Sequence, residues 1–466
     1  MTGSVVVCVD FGSTFTKAAL VDRATGALIA TAQHPTTLGT DILDGLDACR
    51  ENLLAAHPEA AGAQVLACSS AGGGLRIAVV GTEELVSAEA GRRVALSSGG
   101  RVVHVAAGRL DATSLAALEA AEPDVLLLTG GTDGGDSDVL LHNAAWLEQE
   151  HWSRPVVVAG NVEASEAVRQ HLVGGGTPFV LADNVVPRIG VLAPESARAA
   201  IREIFLSHVI GGKNLSARPE FAEMVLGATP DVVLVAVELL AQAQGSSTPG
   251  SGVVVVDVGG ATTDVHSVVV LDPEEAALAR EVVAIAPVTR TVEGDLGMRW
   301  SAASTAEAAA ADGIDADLAA VAGVRSDPAF LPCDADERAE DLRLASAAAT
   351  LAVRRHAGRS RVLVSPEGRV VERSGKNLRA VDLLVGSGGV FRAATPEQAA
   401  RALLGATGSG TEGWQCPERP RIVVDSAAVL AAAGLIALHG GDDAAADAAR
   451  QLIWNTVSSM TEVSAG

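Results

Sequence analysis

One phrase occurs twice in this chain. Residues 5–17 read VVVCVDFGSTFTK and residues 253–264 read VVVVDVGGATTD. In each, a β-branched run ends in Asp-x-Gly, followed by small residues and a Thr. Laid over each other, Asp10 falls on Asp257, Gly12 on Gly259, Ser13 on Gly260 and Thr16 on Thr263. A strand that turns through glycine leaves successive N–H groups facing outward, a concave set of amides suited to phosphate. The hydroxyls of Ser13, Thr14, Thr16, Thr262 and Thr263 add donors. Asp10 and Asp257 sit at the edge of each cradle, where a carboxylate holds Mg²⁺ through its waters because that ion dehydrates reluctantly. Lys17 is placed to neutralise charge on a transferred phosphoryl group. Either copy alone reads as a tight β-hairpin turn, since short glycine motifs match by chance. Two copies, each between two strand runs, point to two halves facing one ligand.

A third glycine turn follows in LLVGSGGV (383–390). Gly386, Gly388 and Gly389, between a strand and a helix, allow close backbone approach to a nucleotide's sugar and α-phosphate. Taken singly, this is also an ordinary strand–helix turn. Its place after the two hairpins is what gives it weight.

The whole chain of 466 residues is long enough for two or more domains. Residues 5–34 read as a three-strand meander (VVVCVD, TKAALVD, ALIATAQH), followed by a helix over about 41–56. From about 64 to 190, short apolar runs (VLACSS, LRIAVVG, RVVHVAAG, DVLLLTGG, PVVVAGN, TPFVLADN) alternate with helical stretches, which predicts a mostly parallel, Rossmann-like sheet. Residues 194–243 read as largely helical, and QGSSTPGSG (244–252) as a linker. Beyond it the second strand–turn–strand begins, then Ala-rich helices (about 301–356), a hairpin at VLVSPEGRVVER, and a final strand IVVD with helices. The layout is thus a first domain over 1–243 that carries the α/β region and a second over 253–466.

The formal net charge of −23 works against nucleic-acid binding, which needs cations to displace phosphate counterions. It leaves ATP open, because backbone amides hold phosphate without net positive charge. The cysteines, at 8, 49, 68, 333 and 416, form no C-x-x-C pair. Zinc sites and cysteine-ligated clusters therefore lack their spacing, and the odd count reads as reduced thiols. MTGSVVVCVD has no basic, apolar leader pattern, and VVLVAVELLAQA (232–243) is too short to span a membrane and carries Glu238. A cytoplasmic protein with no membrane partner is expected.

The order of two Asp-Gly hairpins and a glycine turn resembles the actin-like ATPase superfamily of actin, DnaK-type chaperones and sugar kinases. The resemblance implies a two-domain, ribonuclease H-like fold with an inserted or elaborated Rossmann-like α/β region. It also implies ATP or ADP with Mg²⁺ between the domains. DFGSTFTK looks like the loop of the 2-hydroxyacyl-CoA dehydratase activators and the benzoyl-CoA reductase activators. Those carry a cysteine-ligated iron–sulfur cluster, and the cysteines here are not arranged for one.

A narrower resemblance runs nearly end to end. LLLTGGTDGGDSD (126–138), VVVAGN (156–161), ADNVVPRIG (182–190), ARAAIREIFLSHVI (197–210), VVDVGGATTDVHSV (255–268), RTVEGDLGMRWSA (290–302) and GKNLRAVDLLVGSGGVFR (375–392) resemble the glutamate mutase accessory proteins. These MutL-type proteins, encoded beside adenosylcobalamin-dependent aminomutases, are unrelated to the mismatch-repair protein sharing the name. The resemblance implies a chaperone-like ATPase that assists or reactivates a mutase whose subunits are its partners. In that role Asp10, Asp257 and Lys17 act on the phosphates. A small-molecule kinase on the same fold is the alternative, with Asp133 as a base beside the acceptor.

Two stretches stay open. Asp133 and Asp136 in GGTDGGD end a predicted parallel strand, where α/β sheets place ligands. They read equally as a second ligand or partner site and as a solvated turn with a helix-capping carboxylate. Glu293 and Asp295, with Arg290 and Arg299, either reach the cleft or a partner, or form an internal ion-pair network.

Overall fold

Val6 and Cys8 point to one side of the first strand and Val7, Val9 and Phe11 to the other, and both sides are buried. That explains a continuous apolar run where a half-exposed strand would alternate. In this computed structural model, which describes residues 5–272, 286–327, 330–365, 368–408 and 413–458, the run forms β1 (Val5–Phe11). It pairs antiparallel with β2 (Phe15–Asp22), which pairs antiparallel with β3 (Ala27–Pro35), so the expected meander is present. On the other side of β1 lie β4 (Gln64–Ser69) and then β10 (Val225–Ala228), both parallel to it. The sheet order is β3-β2-β1-β4-β10.

The second copy of the phrase builds the same sheet again. β11 (Gly252–Val258), β12 (Thr263–Val269) and β13 (Val288–Glu293) form the antiparallel meander. β16 (Leu383–Ser387) and β17 (Arg421–Val424) continue in parallel, in the order β13-β12-β11-β16-β17. An antiparallel ribbon of β14 (Arg359–Ser365) and β15 (Gly368–Ser374) accompanies it.

Between the two copies stands a wholly parallel sheet of β5 (Leu75–Gly81), β6 (Gly100–Ala107), β7 (Val125–Leu128), β8 (Val156–Val158) and β9 (Phe179–Leu181). Its order is β6-β5-β7-β8-β9, with the helices Glu89–Ser97, Ala112–Ala120, Asp138–Gln149 and Ser165–Gly175 as crossovers.

Three elements differ from the sequence reading. β4, grouped there with the α/β region, pairs instead with β1, because its Ala67 and Cys68 complete the two cores flanking that strand. Within 194–243 the helices Glu195–Ile204 and Glu220–Met224 are interrupted by β10. Its VLGA segment takes the open edge of β4, and Pro230 then starts the helix Thr229–Gln244. β13, unassigned in the sequence, completes the second meander.

A helical layer joins the duplicated sheets. Thr229–Gln244, Val429–Gly440 and Asp443–Ser458 share one core with Val6 and Cys8 of β1 and Val253 and Val255 of β11. Gly434 lies so close to the neighbouring helix that a Cβ there would stand 2.1 Å from the Val232 carbonyl oxygen. The opposite face of the second sheet, at Val254, Val256 and Val258, packs under the long helix Ala335–His356.

Candidate functional site

Both Asp-Gly turns are closed by the same bond. The Gly12 amide donates to the Phe15 carbonyl (3.1 Å) and the Gly259 amide to the Thr262 carbonyl (2.9 Å). A Cβ would stand 2.8 Å from the acceptor at Gly12 and 2.9 Å at Gly259, so neither turn admits a side chain without opening. Among the described residues, no acceptor lies on the amides of Ser13, Thr14, Gly260, Ala261 or Thr262. The two loops face each other: a Cβ built on Gly260 would stand 3.6 Å from the Thr14 hydroxyl oxygen. The third turn abuts the second. Gly386 and Ser387 pair with Val256 and Asp257, and Gly388, at φ 120°, comes so near that a Cβ would sit 2.3 Å from the Val258 carbonyl oxygen. Gly386 is buried under Leu403 and Phe391, whereas Gly389 is exposed.

The two carboxylates differ in their company. Asp10 pairs with Lys17 (3.2 Å) and accepts a hydrogen bond from the Thr229 hydroxyl (2.7 Å). Asp257, half-buried, has no side-chain partner among the described residues. Cross-strand register sets Lys17 opposite Asp10 but Asp264 opposite Asp257. The missing positive charge comes from β13, where Arg290 pairs with Asp264 at 2.8 Å. Burial pushes Asp264 above the usual carboxylate range, Arg290 works against that, and Asp257 adds repulsion. Asp425, at the end of β17, is also raised by burial and is repelled by Asp257. It caps the helix Val429–Gly440 through the Val429 (2.9 Å) and Leu430 (3.3 Å) amides. Asp257 thus has two further carboxylates in its field, each already engaged: Asp264 by Arg290 and Asp425 by the Val429 and Leu430 amides.

Other predicted residues lie beneath or beside the loops. Thr16 and Thr263 are wholly buried, on the face opposite the gap's charged side chains. The Thr16 hydroxyl lies 3.5 Å from that of Thr36, which donates to the Gly12 carbonyl at 2.8 Å, so this pair props the first loop from below. The second loop is propped by the segment after β13. Met298 and Arg299 amides donate to the Gly259 and Gly260 carbonyls (3.0 and 2.8 Å), and the Ser301 hydroxyl to Ala261 (2.6 Å). Gly297 leaves no room for a side chain, its Cβ position being 2.7 Å from the Ala261 carbonyl carbon.

Glu293 and Asp295 both bind Arg355, at 2.9 and 2.7 Å, and Arg299 pairs with Asp341 at 2.7 Å. The Arg355 pairs lie at the surface and the Arg299–Asp341 pair is a separate, mostly buried one. Asp133 accepts from Asn184 (2.9 Å) and the Val162 amide (3.2 Å), and Asp136 from the Asp138 amide (2.9 Å), at the carboxyl edge of the parallel sheet. The sequence reading missed Thr229, Thr36, Gly297 and Asp425. It also missed Asp264, which was one residue from view: carrying the overlay of the two phrases from Thr16 and Thr263 a step further sets Lys17 on Asp264.

The sequence model of the MutL protein family matches residues 6–453. Protein MutL of Clostridium tetanomorphum is 33% identical over 442 residues, covering 92% of this chain and 95% of its own length. The chain belongs to the MutL family. Among solved structures, this MutL-family chain is similar to ligand-bound xylulose kinase from Lactobacillus acidophilus (11% identity, 96% of this chain and 92% of the kinase, TM-score 0.33). It is also similar to the ethanolamine utilization protein EutJ from Carboxydothermus hydrogenoformans (13% identity, 93% and 89%, TM-score 0.27). The MutL-family fold here is α/β, with two sheets of one strand order meeting at a shared helical layer. No helix among the described residues is long and apolar enough to cross a membrane.

Proposed function

We propose that the two hairpin loops together hold one Mg²⁺-bound ATP or ADP, and that the chain uses it as a chaperone-like accessory or reactivating protein. Its client in this reading is an adenosylcobalamin-dependent mutase such as glutamate mutase. The observation that carries the nucleotide reading is that the loops face each other, a Cβ built on Gly260 standing 3.6 Å from the Thr14 hydroxyl oxygen. In this reading the amides of Ser13, Thr14, Gly260, Ala261 and Thr262 cradle phosphate. Asp257, with Asp10, holds the cation through its waters, and Lys17 balances charge at Asp10. Gly388 and Gly389 keep the third turn thin enough for the nucleoside. Bound ATP supplies a phosphoanhydride whose cleavage shifts the balance between two arrangements of the domains at 1–243 and 253–466, joined through 244–252. Membership of the MutL family, with the accessory-protein resemblance, supports a mutase in the cytoplasm as the client.

The kinase alternative needs a carboxylate beside the acceptor. Asp133 stands at the carboxyl edge of the parallel sheet, whereas the amino edge meets the second half of the chain, at Leu96 and Gly100. The chaperone reading is therefore preferred. ATP hydrolysis by the purified chain, alone and with a cobalamin-dependent aminomutase, tests it. Turnover that rises with the mutase is expected. Turnover indifferent to any mutase, with a sugar or small acid phosphorylated instead, would move the function to the kinase.

A further inference from the structure

Between the helix Glu89–Ser97 and β6 the chain makes a short turn, Leu96–Gly100, at the amino edge of the parallel sheet. This turn touches the supports of both candidate carboxylates. On one side Gly99, at φ 79°, lies so close to Asp231 that a Cβ would stand 2.7 Å from its amide nitrogen. Asp231 is buried and held by Arg202 through two bonds of 2.6 and 3.1 Å. It opens the same helix as Thr229, whose hydroxyl binds Asp10. On the other side Arg290 donates through Nη1 to the carbonyls of Leu96 (3.1 Å) and Gly100 (3.2 Å), and through Nη2 to Asp264 (2.8 Å), the cross-strand neighbour of Asp257.

The far end of the helix Glu89–Ser97 reaches the other edge of the sheet. Ser87 accepts from the Thr129 hydroxyl through its carbonyl (3.0 Å) and from the Thr82 amide through its hydroxyl (2.7 Å). That is the point between β5 and β7 where the strand order reverses and α/β sheets leave a crevice. The helix Glu89–Ser97 and the Glu84–Ala88 turn that leads into it therefore span from the hairpin supports to the crevice. A cation at a helix C-terminus is favourable in itself, so Arg290 grips the helix end by charge as well as by hydrogen bonds. Its Nε and the Nδ1 of His266, its cross-strand neighbour, are buried without a partner among the described residues, so this contact is short of its hydrogen-bonding optimum.

We propose that the Leu96–Gly100 turn, gripped by Arg290, carries occupancy of the hairpin cleft to the parallel α/β sheet, with Arg290 as the positioning residue for that coupling. The proposal rests on the reading of the hairpins as nucleotide loops. Asp264 stands opposite Asp257 in the register, so a shift of the second hairpin on ligand binding moves Asp264 and, through its bond to Arg290, the end of the helix.

Amide hydrogen exchange of the full chain, with and without Mg·ATP, tests this alongside a separate titration of nucleotide binding. In the wild-type chain, exchange over residues 84–100 is expected to slow at least threefold with Mg·ATP. Arg290→Gln is expected to bind Mg·ATP within fivefold of wild type yet to lose that slowing. Arg290→Lys restores part of it, which a merely structural role for the side chain would not predict. Arg290→Gln binding nucleotide and keeping the full slowing at 84–100 would overturn the proposal, as would wild-type binding with no change there. A wild-type chain that binds no nucleotide would instead overturn the reading of the hairpins.

Discussion

A side chain added at Gly260 has one direction to take, into the gap facing Thr14, with the Arg299 stem beyond at 3.8 Å. Its backbone is not among the glycines at positive φ, so a larger residue meets no strain there. Gly260→Val is therefore expected to weaken ATP binding at least tenfold, about 1.4 kcal/mol. It should leave stability within about 0.5 kcal/mol. A nucleotide titration beside a denaturant melt checks both, and unchanged affinity would remove the gap from the site. Residue types in the repeated phrase identified Asp10, Asp257 and the turn glycines as a set, because the chemistry of a thin, amide-lined turn is local. They did not reveal that Thr16 and Thr263 face the core. Strand period separates Thr16 from Lys17 and places it with Ala18 and Leu20, a distinction that a motif read as a string conceals.

Among the elements, the two meanders and the parallel strands were readable from β-branched runs and glycine turns, whose signals are short-range. β10 was not, because VLGA becomes a strand only through the open edge of β4, which no window of sequence contains. The second sheet also buries two histidines. His266 on β12 and His356 at the end of the helix Ala335–His356 are held far below their usual range by burial, with the Arg290 charge adding to this for His266 and Lys376 and His266 for His356. Depressed folded values mean the unfolded chain takes up protons first as pH falls. Stability is then full above 6.5, the unperturbed value, and is lost as pH drops below it toward the folded values. The loss is up to about 1.4 kcal/mol per pH unit for each histidine. The urea midpoint is expected to fall between pH 7.5 and 5.5, and a midpoint constant over that interval would contradict neutral burial of these rings.

At the scale of the molecule, duplication was legible and its assembly was not. The phrase announced two equivalent halves, and the strand orders repeat accordingly. That the C-terminal helices return to pack between both sheets depends on Gly434 meeting Val232, a contact across two hundred residues that no local signal carries. The same layer fixes the spacing of the two hairpins, so the central claim is that both halves build one nucleotide site. Calorimetric titration of Mg·ATP into the wild-type chain, Asp10→Asn and Asp257→Asn tests it most directly. The account predicts one nucleotide per wild-type chain, with either substitution weakening that single site at least tenfold. Two independent sites, or full affinity retained when one half is altered, would contradict it.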